Sequence, residues 1–236
     1  MSFIDINNMS FGLAIQRGLV NNFSGVQKFG YNTAVGTVFE TIWENGGLYA
    51  YPTTATTAVA TSTSTDDNDS LVHIYGLDSN WDLADEVISV GGSASTTSFI
   101  RVFRSVLENA NTGIVNVGKI TTTVNSLPVS IVDVGYGQSL QALYTIPRNY
   151  RGYLMSIDVG TSKQKEVEAK FMQRPLNGNT FQTKSLVTSF GTPFRKDYLV
   201  PEILSEQSDL EMRAKADATT SISAGFQLIL EKVDQS

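Results

Sequence analysis

The sequence predicts an all-β fold: a two-sheet antiparallel sandwich, most economically a jelly roll, with an N-terminal arm or short helix. Short runs of alternating apolar and polar residues recur along the chain, separated by Gly, Asn, Asp and Pro. Only 17% of residues are charged, so the chain lacks the Glu and Lys that helices favour. Because each one-sided strand needs a facing sheet, these runs indicate a sandwich.

Length and composition indicate one main domain. The chain has 236 residues, of which 41% are hydrophobic, enough to bury a sizeable core. We expect residues 1–25 to form the arm or short helix and residues 26–236 to form a single β-sandwich domain. The arm is too short to have its own core, so its apolar residues must pack on the main domain or on another subunit.

The N-terminal stretch "NMSFGLAIQRGLVNN" supplies the candidate contact residues. Ser10 is a possible N-cap, whereas Gly12 and Gly18 weaken a helix, so a helix and a pliable arm both remain open. The apolar side chains that could anchor the arm to another subunit or to a capsid are Met9, Phe11, Leu13, Ile15 and Leu19.

The strand pattern is clearest at two places. "LVHIYGLD" places Leu71, His73 and Tyr75 on one side of a strand. "TSISAGFQLILEK" predicts a strand with one buried and one solvated face. The residues predicted to face inward in it are Ile222, Ala224, Phe226, Leu228 and Leu230. Nine to eleven strands are expected in all, with helical turns favoured at 139–146 and 201–207.

The Thr-rich stretch at 53–65 could be a linker, a mobile loop or a strand. It consists of β-branched and small residues without Gly, which favours a strand over a linker. The acidic cluster "DDND" at 66–69 follows, and then the strand "LVHIYGL". We therefore predict a hairpin with the cluster as its solvated tip. Alternatively, the acidic cluster could bind calcium through its carboxylate and amide oxygens. Its spacing does not fit an EF-hand loop, so no metal site is expected.

Several classes of chemistry are disfavoured. The absence of cysteine removes disulfides, zinc–thiolate sites and thiol catalysis. His73, the single histidine, lies inside a predicted strand, where an ordinary half-buried role is typical. A net charge of −6 argues against nucleic acid. No apolar run approaches a bilayer span, and no leader sequence is evident, so we expect synthesis and folding in a cytoplasm without a membrane partner.

"GLDSNWDLADE" is the one stretch that resembles a sugar site. Its carboxylates surround an aromatic side chain that could stack on a sugar ring. Paired carboxylates could also catalyse glycoside hydrolysis. The alternative is a turn with a core anchor, since Asp and Asn form turns readily. The glycan-binding candidates are Trp81, Asp78, Asp82 and Glu86. We expect no catalytic residues, no cofactor and no enzymatic activity.

Three segments carry a family resemblance: "FGYNTAVGTVFETIWENGGLYAYP", "VHIYGLDSNWDLADEVISVGG" with "FIRVFRS", and the closing "VPEILSEQSDLEMRAKADATTSISAGFQLIL". The chain resembles virion structural proteins of tailed bacteriophages, especially marine ones. The resemblance implies a non-enzymatic capsid decoration or cement protein, a homo-oligomer, often a trimer, seated on the major capsid protein. The remaining alternative is a receptor- or glycan-binding β-sandwich module of a phage tail or head fibre.

Overall fold

The computed structural model describes residues 10–233 and is almost entirely β. Its helix α1 spans Phe11–Gln16, and a single 3-10 turn covers Thr65–Asp67. The strands are β1 Phe23–Val35, β2 Glu40–Thr41, β3 Thr56–Ser62, β4 Leu71–Asp78, β5 Leu83–Ser89, β6 Ser98–Asn109, β7 Ile120–Val124, β8 Leu127–Val132, β9 Leu143–Thr145, β10 Tyr150–Thr161, β11 Glu166–Arg174, β12 Gln182–Phe190, β13 Phe194–Leu204, β14 Asp209–Ala216 and β15 Thr220–Lys232.

The strands form three antiparallel sheets. Sheet I has the order β1-β15-β10-β13, and sheet III the order β5-β4-β6-β3-β7-β8. Sheet II has the order β12-β11-β14-β2, with the short strand β9 also paired to β14. The predicted all-β class, antiparallel sandwich and short N-terminal helix are thereby confirmed. The sequence predicted nine to eleven strands, whereas fifteen form within residues 10–233. The three-residue strand β9 is too short to show an alternating pattern.

One hydrophobic cluster connects the three sheets. Phe171 of sheet II meets Phe226 of sheet I edge to face, with ring centroids 5.2 Å apart. Phe103 of β6 packs on Tyr144 of β9 at 4.6 Å and joins sheet III to the same core. The inward residues predicted for the last strand, Ile222, Ala224, Phe226, Leu228 and Leu230, are all buried. Alternation with period two therefore identified the core face of β15 correctly.

The predicted hairpin at 51–78 is wrong in its pairing. Both strands form where expected, as β3 and β4, but they do not pair with each other. The long strand β6 lies between them, with β4 on one edge and the start of β3 on the other. β3 then continues along β7. A sequence shows where a strand forms more directly than which strand it joins, because pairing is decided by distant partners.

Neither predicted helical turn forms a helix, and each segment overlaps a strand. Residues 143–145 form β9, and β13 runs to residue 204. The segment 139–146 is buried throughout, so it has no polar face that a surface helix would need. Over residues 10–233, no helix has the length and hydropathy of a membrane span.

Candidate assembly surface

Helix α1 forms as an amphipathic turn that packs on sheet I. The Ser10 hydroxyl accepts a hydrogen bond from the backbone N–H of Leu13, so the predicted N-cap is confirmed. Ala14 and Ile15 are buried beneath the helix. The chain leaves the helix through Gly18, whose φ of 66° lies in the left-handed region.

The predicted contact residues divide between two environments. Phe11, Leu13 and Leu19 are exposed, and Phe11 presents 56% of its surface to solvent. Ile15 is 4% exposed and anchors the helix to its own domain, so it is not available to a partner. Met9 lies outside the described residues. The inner face of the arm therefore packs on its own domain, whereas the outer apolar face is exposed to solvent.

A groove of about 380 Å³ runs along α1 on the outer face of sheet I. Phe11 and Ile15 form one wall. Val26 of β1, Met155 of β10 and Ile229 of β15 contribute to the other side. This groove extends the apolar surface of the helix onto the sheet.

Strand β13 carries a second apolar protrusion at the free edge of sheet I. Its register with β10 shifts between Leu154 and Ser156, so that Met155 lies opposite the four residues 198–201. Within this bulge Leu199 is 98% and Val200 81% exposed, whereas Tyr198 packs against the core. Met155, which lies opposite the bulge, also lines the groove beside α1. We call α1, the groove and the bulge together the assembly surface.

The sequence did not identify the β13 bulge. The segment "YLVPEIL" has consecutive apolar residues with a central Pro, which obscured the strand period. Its signal is the apolar pair at 199–200 beside Pro201, since Pro in a sheet is confined to edges and bulges.

The glycan-binding candidates are not directed at a common ligand. Asp78 Oδ1 accepts hydrogen bonds from the N–H groups of Asn80 and Asp82 and so closes its own turn. Asp82 pairs with Arg148 at 2.8 Å. Glu86 lies farther along β5 and accepts from the N–H groups of Thr96 and Thr97. Each carboxylate serves local structure.

Trp81 belongs to a partly buried cationic–aromatic cluster that the sequence did not reveal. The Arg101 guanidinium lies 4.8 Å from the Trp81 ring centroid and 5.1 Å from that of Tyr51. Arg101 also forms a bidentate ion pair with Asp209, which in turn binds Arg174. These residues come from distant segments, so no spacing in the sequence could predict the cluster. The Asp209 carboxylate compensates the positive charge of the buried Arg101 guanidinium.

The acidic turn is only partly solvated. Asp67 is buried, which corrects the prediction of an exposed tip. Its carboxylate accepts hydrogen bonds from the Ser62 hydroxyl and from the N–H groups of Val117 and Gly118. Burial raises the pKa of this carboxyl, but the three hydrogen bonds outweigh it and hold the pKa below its usual value. Asp67 therefore joins two loops. Within residues 10–233, no group of three or more His, Asp or Glu side chains has the arrangement of a metal site.

His73 lies between two carboxylates on the outer face of sheet III. Its ring nitrogens are each 2.7 Å from a carboxylate oxygen, Nε2 from Asp85 and Nδ1 from Glu108. The ring stacks on Tyr75 with centroids 4.1 Å apart. Burial lowers the pKa of His73, but the two carboxylates outweigh it and raise the pKa above its usual value. Both ring nitrogens are engaged, so His73 links β4 to β5 through Asp85 and to β6 through Glu108.

Comparisons with known proteins identify no family. No protein-family model and no curated protein sequence matches the chain. Among solved structures, the chain is similar to that of infectious bursal disease virus, Gt strain, at 11% identity and a TM-score of 0.23, covering 89% of this chain and 72% of that one. The Gx strain structure gives 9% identity and 0.23, covering 91% and 77%. The VP2 subviral particle gives 12% and 0.18, covering 90% and 77%. At these TM-scores the likeness carries no argument about function.

Proposed function

We propose that this chain is a structural virion protein that binds and stabilises a bacteriophage capsid, as a decoration or cement protein without catalytic activity. The partners are the major capsid protein and further copies of the chain, in a homotrimer. The protein is located in the virion after assembly in the host cytoplasm. The family resemblance of the sequence suggests this role, and the assembly surface is the observation that carries it.

Exposure of this apolar surface to water is energetically unfavourable. Phe11, Leu13, Leu199 and Val200 are exposed large apolar side chains, and Phe11 also lines the groove on sheet I. Burying one such side chain fully contributes about 1.5–3 kcal/mol. Clustered exposure of this kind marks protein–protein contact sites. A capsid-binding protein needs such a surface on a rigid β-framework.

Deletion of residues 2–22 tests the proposal. The variant should retain the far-ultraviolet circular dichroism of a β-protein and lose co-sedimentation with empty heads of the phage. Light scattering of the intact chain should give the mass of three copies. Unchanged binding of the deletion variant to heads would overturn the role of the arm.

Point variants make the test sharper, because they preserve the fold. Leu199→Ser with Val200→Ser removes the tip of the bulge, and Phe11→Ser with Leu13→Ser removes the outer face of the helix. Each pair should weaken head binding by at least about 10-fold, equivalent to about 1.4 kcal/mol. The matched control is Val38→Ser, because Val38 is exposed but lies outside the assembly surface. Equal loss in this control would contradict the proposal.

A further inference from the structure

Strand β1 has a free edge. It is the terminal strand of sheet I, paired only with β15 along its length. The N–H of Tyr31 donates to the carbonyl of Leu140, on the side away from β15. Because backbone groups alternate between the two sides of a strand, the N–H and C=O groups of Gly25, Gln27 and Phe29 face the same way. No backbone partner in residues 10–233 meets these three residues there.

This edge borders a cleft of about 330 Å³. The opposite wall comes from sheet III and β9, with Tyr75, Leu83 and Tyr144 supplying apolar surface. Lys28 and Arg104 also line the cleft. The cleft therefore combines unpaired strand edge, apolar walls and two cationic side chains.

Neither cation has a salt-bridge partner in the described part of the chain, although the charge of Glu44 acts on Lys28. Lys28 is buried and donates to the carbonyl of Phe103, and Arg104 donates to Gln138 Oε1 at 2.7 Å. Among the described residues, no carboxylate forms a salt bridge with either one. Burial raises the pKa of nearby Glu44 to about 8, so its carboxyl is largely uncharged at neutral pH.

We propose that an extended segment of a partner protein adds a strand to the β1 edge and places an Asp or Glu side chain against Arg104 and Lys28. Strand addition uses main-chain hydrogen bonds for affinity and side-chain pockets for specificity. The free N–H and C=O groups of Gly25, Gln27 and Phe29 can form the main-chain hydrogen bonds. The cleft provides the pocket for side chains of the partner. Positive charge inside a chain of net charge −6 selects an acidic residue with apolar neighbours.

The test uses two synthetic peptides of alternating Thr and Val, one with a central Glu and the other with Gln in its place. Added to the full chain, the Glu peptide should shift the amide NMR signals of Gly25, Gln27 and Phe29 and slow their hydrogen exchange. It should bind about 10-fold more tightly than the Gln peptide, as expected for one charge-assisted contact. Equal affinities, or no shift at about 1 mM of either peptide, would overturn the proposal.

Two variants locate the binding mode. Gln27→Pro removes an edge N–H that no neighbour uses, so it should preserve the fold and abolish peptide binding. Arg104→Gln should weaken the Glu peptide about 10-fold and leave the Gln peptide unchanged. Arg151→Gln, at an exposed arginine outside the cleft, is the control and should change neither. Binding that survives Gln27→Pro would exclude strand addition.

Proton uptake gives an independent measurement. Burial and the charge of Arg104 lower the pKa of Lys28 to about 7, so the amine is largely uncharged at pH 8. A bound carboxylate favours the ammonium form, and titration calorimetry at pH 8 should show proton uptake with the Glu peptide alone. Uptake that is the same for both peptides would remove Lys28 from the site. Gly25 and Gln27 also border the groove of the assembly surface. Neither experiment uses capsids, however, so a loss of peptide binding and a loss of head binding are measured separately.

Discussion

Asp67 shows at the level of one residue how a polar side chain can determine loop structure. Its carboxylate binds groups at positions 62, 117 and 118 and so holds two loops of sheet III together. Removing an acceptor from buried donors costs more than the bond itself is worth in water, because the donors are left without partners.

We predict that Asp67→Asn lowers the free energy of unfolding by about 1–3 kcal/mol at pH 7. The pKa of Asp67 is lower in the folded state than its ordinary value of 3.8, so its stabilisation is present above that value. It is lost as the pH falls through the folded-state pKa. Urea unfolding of both proteins from pH 7 into this acid range should show their stabilities converging. Asp66→Asn, at an exposed neighbour, is the control; an equal loss there would contradict the assignment.

Among the elements, β1 illustrates a close approach that requires glycine. A Cβ atom at Gly30 would overlap the carbonyl oxygen of Ile42 and the backbone nitrogen of Ala142. These are backbone atoms held in the core, so they cannot move aside as a flexible side chain could.

Gly30→Ala should therefore destabilise the protein by about 1–3 kcal/mol or more. Gly12→Ala is the matched substitution, because Gly12 lies in α1, where an added methyl group would meet no heavy atom within 4 Å. There the exchange should stabilise by about 0.5–1 kcal/mol, since alanine loses less backbone entropy in a helix. Thermal unfolding monitored by circular dichroism measures both. If Gly30→Ala were as stable as the parent, the backbone atoms of Ile42 and Ala142 could not lie so close to Gly30.

Elements are also where sequence and structure can be compared most directly. Alternation located β4 and β15 and the buried face of β15, because the period of two depends only on local geometry. It did not place β6 between β3 and β4, nor join Arg101 to Asp209 across 108 positions. Both depend on contacts between distant segments. The sequence indicated the apolar residues of α1 but did not separate exposed Phe11 from buried Ile15. The β13 bulge depended on the register with β10.

The molecule as a whole has one connected core. Side chains of all three sheets belong to a single hydrophobic cluster, from Val35 to Leu230. Because the cluster includes side chains from every sheet, unfolding any one sheet alone would expose core side chains of the others to water.

We predict a single cooperative unfolding transition, with equal calorimetric and van't Hoff enthalpies. This tests the expectation that residues 26–236 form one domain. Differential scanning calorimetry at several protein concentrations separates unfolding from dissociation of oligomers. Two resolved transitions that do not depend on concentration would show independent units and contradict the expectation.

The insertion of β6 between β3 and β4 has a consequence for how the chain folds. On the ribosome, β3 and β4 emerge before the strand that both require, so neither can complete its pairing until about residue 109 has left the exit tunnel. β7 and β15 arrive later still. Such long-range pairings make folding slow, because loop closure precedes any gain from contacts. Newly made chains thus pass through a period with open strand edges, when premature association is most damaging. A chaperone that covers those edges during synthesis would raise the yield of assembly-competent protein.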